Sequence, residues 1–378
     1  AMREGRFRHL GVHDKTGAIV GALSARDLLK QRGDDAISLG DRIETASSAH
    51  GLSLAWANLA LVAQALVNEG VDVRDVAAII SRELCALTRR AVEIAERNMG
   101  EAGLGAPPCG YALLVLGSAG RGESLLAMDQ DNAIVYAEGD EGGPEDTWFA
   151  ELGRRVADIL NLAGVPYCKG GVMASNRAWR MSVADWREHV LTWISRHTPE
   201  DILNSDIFFD ATAVHGDTQL ADDVLGHSLS AGAESREFLQ LMSVNAVDIP
   251  NTLGWFGRIR LQNGRIDLKR GGIMPIFSAA RIVAIRHGIT ARSTPERLES
   301  VKGKLESPDS IIDNLIEAHK VLLGAILDQQ LKDLDTGIAL SNNVAANELP
   351  VVKRDRLKWA LAQVRAVSNL LGDPVAAI

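Results

Sequence analysis

One stretch constrains this chain more than any other: Tyr111 to Tyr136, reading YALLVLGSAGRGESLLAMDQDNAIVY. Two short apolar runs, Ala112–Leu116 and Ala133–Tyr136, read as neighbouring buried strands. A Gly-Ser turn follows the first run, and Asp129 and Asp131 lead into the second. With Gln130–Tyr136 as one strand, the two acids flank its start on one face, roughly 6–7 Å apart along it. Carboxylates so placed can share a divalent cation, and a glycine opposite them lets a phosphate approach the backbone. The combination predicts metal-dependent chemistry on a nucleotide.

Simpler motifs fail on single residues. Gly117–Ser124 has the glycine spacing of a P-loop, but Glu123 stands where the phosphate-binding lysine belongs. The run from Asp129 opens like a calcium loop, yet Ile134 and Asp140 occupy the positions that require Gly and Glu. A plain Asx-rich turn explains the Asp pair taken alone. The Gly-Ser before it and a lone acid after it, Asp210 in the apolar run IFFD, favour a site. A carboxylate on a buried face is costly unless it is paired or metal-bound, and a salt bridge to a helix is the ordinary alternative. Asp206, on the same face, is a rival for that role. No Gly-x-Ser-x-Gly elbow and no His-Glu-x-x-His is present, and His197, His215 and His319 read as surface or packing residues.

Length and charge bound the rest. The 378 residues suggest two or three domains, and a net charge of −9, from 40 basic and 49 acidic residues, makes non-specific nucleic-acid or membrane-surface binding a poor fit. Cys85, Cys109 and Cys168 form no Cys-x-x-Cys pair, which argues against a zinc site or disulfide framework and fits a reducing compartment. No apolar run reads as long enough to span a bilayer and no secretory pattern is seen, so a cytoplasmic protein is expected.

Along the chain, strands are expected over Phe7–Val12 and Ile19–Leu23 with a turn at Asp14–Gly17, then a helix, Ala25–Arg32, capped by Ser24. From Leu54 to Met99 the pattern is helical: Leu54, Leu61, Ala65 and Leu66 form one stripe, and Val76, Ile79, Ile80, Leu84 and Leu87 a second, with Gly70 between them as a C-cap. Helices are expected over Asp146–Leu162 and Asp185–His197, and a strand over Ile207–Val214 with Asp210 at its centre. Beyond Asp217 the chain reads as helical, at about 275–287, 295–305, 309–332 and 353–371. The exception is a hairpin at Asn263-Gly264 that pairs Leu261 with Ile266 and Ile259 with Leu268. Its basic residues, Arg258, Arg260, Arg265 and Lys269, read first as a solvated face and second as a grip on polyphosphate.

Gly-Ser, then Asp-x-Asp, then a later lone Asp resembles the DNA polymerase β-like nucleotidyltransferase superfamily. GSAGRGESLLAMDQDNAIVY, GGVMASNRAWR, IFFD and RIDLKRGGIMPIFSAARIVAIRHGI with STPERL look like bacterial CBS-domain-associated nucleotidyltransferases. These are related to the uridylyltransferase of the PII signalling protein. RHLGVHDKTGAIVGALSARDLLK resembles the last part of a CBS domain, too short for a whole unit. The resemblance implies an α/β (α+β) nucleotidyltransferase core with a mixed sheet plus a mainly α-helical C-terminal domain. Its parts would be a CBS remnant over 1–45, a nucleotidyltransferase domain with leading helices over 46–220, and a helical substrate-binding domain over 221–378. Carried over, Gly117 and Ser118 hold the phosphates of an NTP, with Arg121 and Glu123 beside it. Asp129, Asp131 and Asp210 bind two Mg²⁺, and Asp210 helps deprotonate the acceptor. The implied activity moves an NMP to a hydroxyl of a protein or small molecule. A catalytically silent nucleotide-binding regulator, coupling a CBS sensor to a partner, is the competing class, and a homodimer is open because CBS pairs often dimerise. The family pattern often has Arg where Thr212 stands and Pro where Lys169 stands.

Overall fold

The computed structural model describes residues 39–372 apart from 197, 255 and 256, together with the backbone of two strands nearer the N-terminus. Those strands, β1 (His9–His13) and β2 (Ile19–Ser24), pair antiparallel close to the expected limits. The expected turn between them and the helix over 25–32 lie outside the described residues.

Four strands form the central sheet: β3 (Tyr111–Val115), β4 (Asn132–Tyr136), β5 (Arg180–Ser182) and β6 (Thr212–Gly216), in the order β5-β4-β3-β6. β3 runs antiparallel to β4 and β6, and β4 runs parallel to β5, so the sheet is mixed. Every residue of β3 and β4 is buried, which is why both read as unbroken apolar runs rather than alternating ones. Two helix pairs cover the sheet, Val73–Glu101 with Pro144–Ala163 and Val183–Arg196 with Thr218–Glu234. The 29-residue helix Val73–Glu101 starts where the Asp72 carboxylate accepts the Arg74 amide, and it buries the expected stripe through Val76, Ile80, Leu84 and Leu87.

The first expected stripe is wrong. Leu54 and Leu61 are largely exposed, and Leu52, Trp56, Leu59 and Val62 face the core instead. The helix is interrupted at Ala57-Asn58, between Ala49–Trp56 and Leu59–Asn68, and the break shifts the phase that an unbroken helical repeat assumes. By length and composition alone Ala49–Asn68 is apolar enough to cross a membrane, contrary to expectation; here it packs on the neighbouring helices.

The strand expected over 207–214 begins only at Thr212. Thr198 and Asp201 form a capping box and Pro199 sits in the first turn, so a helix, Pro199–Phe208, takes up Ile207 and Phe208. Asp210 therefore lies in the turn between that helix and β6. The hairpin survives only at its tip. Asn263 and Gly264 take φ of 51° and 81°, and Gln262 bridges Arg265, but β7 (Ile266–Asp267) pairs with β8 (Asn343–Val344). Arg265 is drawn to the buried Asp333, 2.6 and 2.7 Å away, which pulls the second arm from the first. The C-terminal region is otherwise helical, around Met274–Arg286, whose residues from Pro275 to Ile285 are all buried.

Candidate active site

The β3–β4 register assembles the site. Val115 opposes Asn132, and the ladder continues with the Leu116 amide donating to the Asp131 carbonyl at 2.9 Å. Gly117 is thereby fixed beside Asp131: a Cβ on Gly117 would lie 2.9 Å from Asp131 Oδ2, and its φ is +57°. The positive φ favours glycine, and any Cβ would also make the Asp131 carboxylate shift. Ser118 follows, its Oγ 3.0 Å from Ser124 Oγ, and Ser118, Asp129 and Asp131 line one narrow crevice. Four of the expected site residues, Gly117, Ser118, Asp129 and Asp131, are thus brought together. Asp129 and Asp131 precede β4 rather than opening it, but they share a side. Between them the Gln130 amide turns inward to the carbonyls of Ala157 and Val165.

Oxygens of Asp129 and Asp131 and the sulfur of Cys168 all lie within 4.8 Å of one another. Burial, with Asp129 adding to it, pushes the Asp131 carboxyl up to about 6; Cys168 and Lys269 act in the opposite direction. The Cys168 thiol is itself pushed up to about 11, first by burial and then by Asp131. In the metal-free protein it is therefore a neutral S–H donor to Asp131. Asp129 and Asp131 repel each other, and their oxygens are the hard donors of the cluster. Sequence reasoning missed Cys168 because no spacing rule links it to Asp131; only the loop before Val172, whose carbonyl accepts the Asn132 amide, brings it there.

Asp210, Arg121 and Glu123 go elsewhere. Asp210 is fully buried, and each of its carboxylate oxygens accepts two guanidinium N–H groups. Arg281 Nε (3.1 Å) and Arg297 Nη1 (2.6 Å) bond Oδ1, and Arg121 and Arg281 bond Oδ2. Burial opposes its ionisation, but Arg281, Arg121 and Arg297 outweigh that and hold the carboxyl well below its usual range. Arg121 also donates to Glu123 at 2.9 Å and lies 4.0 Å above the Phe277 ring. Glu123 in turn accepts the Thr294 amide and hydroxyl at 2.6 and 3.0 Å. Three guanidiniums thus face three carboxylates, since Asp206 also binds Arg281 at 2.7 Å. This placement corrects the expectation of a strand at Asp210, which lies before Thr212 in a turn with both carboxylate oxygens engaged by guanidiniums. Arg281 and Arg297 were also missed, although a lone arginine in the apolar run SAARIVAI is a signal that it meets a buried acid.

Gly120 ties the two clusters. A Cβ there would sit 1.9 Å from the Asp210 carbonyl oxygen and 2.9 Å from that of Val115. Gly120→Ala should therefore cost on the order of 3 kcal/mol, read as a lower urea midpoint; an unchanged midpoint would refute the packing argument.

The mixed sheet sets a Gly-Ser turn against an Asp-x-Asp pair, and a helical region follows it. Residues 57–200 match the family model described as "Putative nucleotidyltransferase DUF294", and residues 236–373 match the one described as "Putative nucleotidyltransferase substrate binding domain". The first stretch is thus similar to that nucleotidyltransferase family and the second to its substrate-binding domain. No curated protein matches the chain.

Proposed function

We propose that the chain is a metal-dependent nucleotidyltransferase, moving a nucleoside monophosphate from an NTP to an acceptor hydroxyl with release of pyrophosphate. The carrying observation is the Asp129–Asp131 pair beside Gly117, with the Asp131 carboxyl pushed up to about 6 by burial and its neighbour. Such a pair suits more positive charge than Lys269 and Arg121 supply. Asp129 and Asp131 would hold Mg²⁺, which, when bound, neutralises charge on the reacting phosphate and lowers the pKa of the acceptor. Gly117 and Ser118 would take the phosphates. Lys269, near enough to act on Asp131 from the helical region, would add positive charge from that side. Asp210, Arg121 and Glu123 would anchor the turn rather than touch the nucleotide.

The finer reading is that of a uridylyltransferase-like enzyme with a protein tyrosine as acceptor, the hairpin β1–β2 being the end of a CBS unit. The domains would divide as 1–45, 46–220 and 221–378. Thermal unfolding with each NTP, with and without Mg²⁺, tests the core proposal, together with pyrophosphate release in the presence of cell extract. A Mg²⁺-dependent rise in Tm with at least one NTP, and pyrophosphate release, is expected. No NTP raising Tm would overturn the site, and binding without release would favour a silent regulator.

A further inference from the structure

The Gly-Ser turn has a second wall. Residues Ala119 to Glu123 border a cleft of about 690 Å³ that is not lined by Asp129 or Asp131. It opens between the helix Val73–Glu101, the segment 290–296 and the helix Asp309–Asp335. Arg74, Arg82 and Arg292 line it along with Arg121. Arg121 is spent on Asp210 and Glu123, Arg74 lies 3.6 Å from Asp72, and Arg82 lies 3.2 Å from Glu83. Arg292 is exposed, and no hydrogen bond or ion pair engages it among the described residues. His319 also lines the cleft. It is 1% exposed, and neither ring nitrogen has a hydrogen-bond partner; Glu123 Oε2, at 3.7 Å from Nε2, is too far. A buried imidazole with both nitrogens unmatched is costly, and the natural remedy is a ligand in the space it faces. Burial holds His319 below its usual range, so it is neutral and offers one donor and one acceptor.

We propose that this cleft binds a phosphorylated small molecule of nucleotide size. Its anionic group would lie on Arg292 and Arg82, and an uncharged polar edge would be hydrogen-bonded to His319. The volume falls in the range of small-molecule pockets, and Ala77, Ala78, Pro295 and Leu323 supply apolar wall. Asp75 and Glu296, on the same lining, would face hydroxyl or amino groups of the ligand rather than its phosphate. The site is independent of the acidic pair, yet it shares the turn that carries Gly117. Occupancy would also clamp the long helix of the first family match to the segment 290–296 of the second.

Calorimetric titration of the full chain in EDTA, which silences any metal-dependent site, tests this with the four ribonucleoside 5′-monophosphates and with inorganic pyrophosphate. At least one should bind with a Kd below a millimolar. Arg292→Ala should weaken it about tenfold or more, as expected for a lost charge-assisted contact. His319→Leu should weaken binding while leaving the melting temperature equal or higher, because it removes an unmatched polar ring. Asp129→Asn should bind as wild type. The inference is overturned when no probe binds, when both Arg292→Ala and Arg82→Ala bind as wild type, or when Asp129→Asn abolishes binding. Failure of Mg²⁺-dependent NTP binding alone would sink the catalytic proposal and leave this one standing.

Discussion

Asp210→Ala should destabilise the protein by about 3–5 kcal/mol, the usual cost of leaving a buried ion pair with one partner missing. Three guanidiniums, those of Arg121, Arg281 and Arg297, converge on this one carboxylate, which is 0% exposed. Removing it leaves three buried positive charges against Asp206 and Glu123 alone. The conservative Asp210→Asn should also be severe, since an amide carries no compensating charge and points N–H groups at N–H groups. Denaturant unfolding of both variants reads the effect. Were Asp210→Asn to melt with wild type and lose only turnover, Asp210 would be a catalytic carboxylate and the anchoring role assigned to it here would be wrong. The same lock spans the chain. Arg281 and Arg297 lie in the C-terminal match, whereas Arg121 and Glu123 lie in the N-terminal one, so the loss should uncouple the two regions as well as loosen each.

How much of this was legible depended on whether the cause was local. β3, β4 and the acidic pair were readable because a fully buried strand is a short apolar run and two acids two residues apart share a side. The helices Pro144–Ala163 and Val183–Arg196 matched their patterns for the same reason. Asp210 was readable as a buried acid needing a partner, but not as to which partner. The choice between cation and arginine is made by Arg281 and Arg297, some seventy to ninety residues further on. The strand expected around it failed because Thr198, Pro199 and Asp201 start a helix whose signal lies nearly ten residues upstream. His319 read as a packing residue; nothing local says that it borders a cleft with both ring nitrogens unpartnered. The hairpin's tip was fixed by Asn263-Gly264, while its arms answered to Asp333 and Asn343, which no short window contains.

Asp131→Asn should abolish Mg²⁺-dependent nucleotidyl transfer, by about a thousandfold or more if the pair stabilises charge in the transition state as such groups do. The same variant should make the metal-free protein more stable near neutral pH. A folded-state pKa of about 6, against an ordinary 3.8, marks a carboxyl whose ionisation works against the fold. Its unfavourable contribution is absent below pH 4, grows as pH rises through 4 to 6, and is complete above about 6. With partial exposure discounting the full shift, the gain from Asn is on the order of 1–3 kcal/mol. Asn keeps the shape and can still accept the Cys168 thiol, so packing is not the cause. Added Mg²⁺ should stabilise wild type above pH 6, with the effect fading below it as Asp131 takes up a proton, and should leave the variant unmoved. Melting curves at pH 5 and pH 8, with and without Mg²⁺, separate the possibilities. Gain of apo stability together with loss of the Mg²⁺ response identifies a charge pair arranged for a cation. A variant that is less stable in every condition would mean that Asp131 serves the fold instead, and the catalytic proposal would lose the observation that carries it.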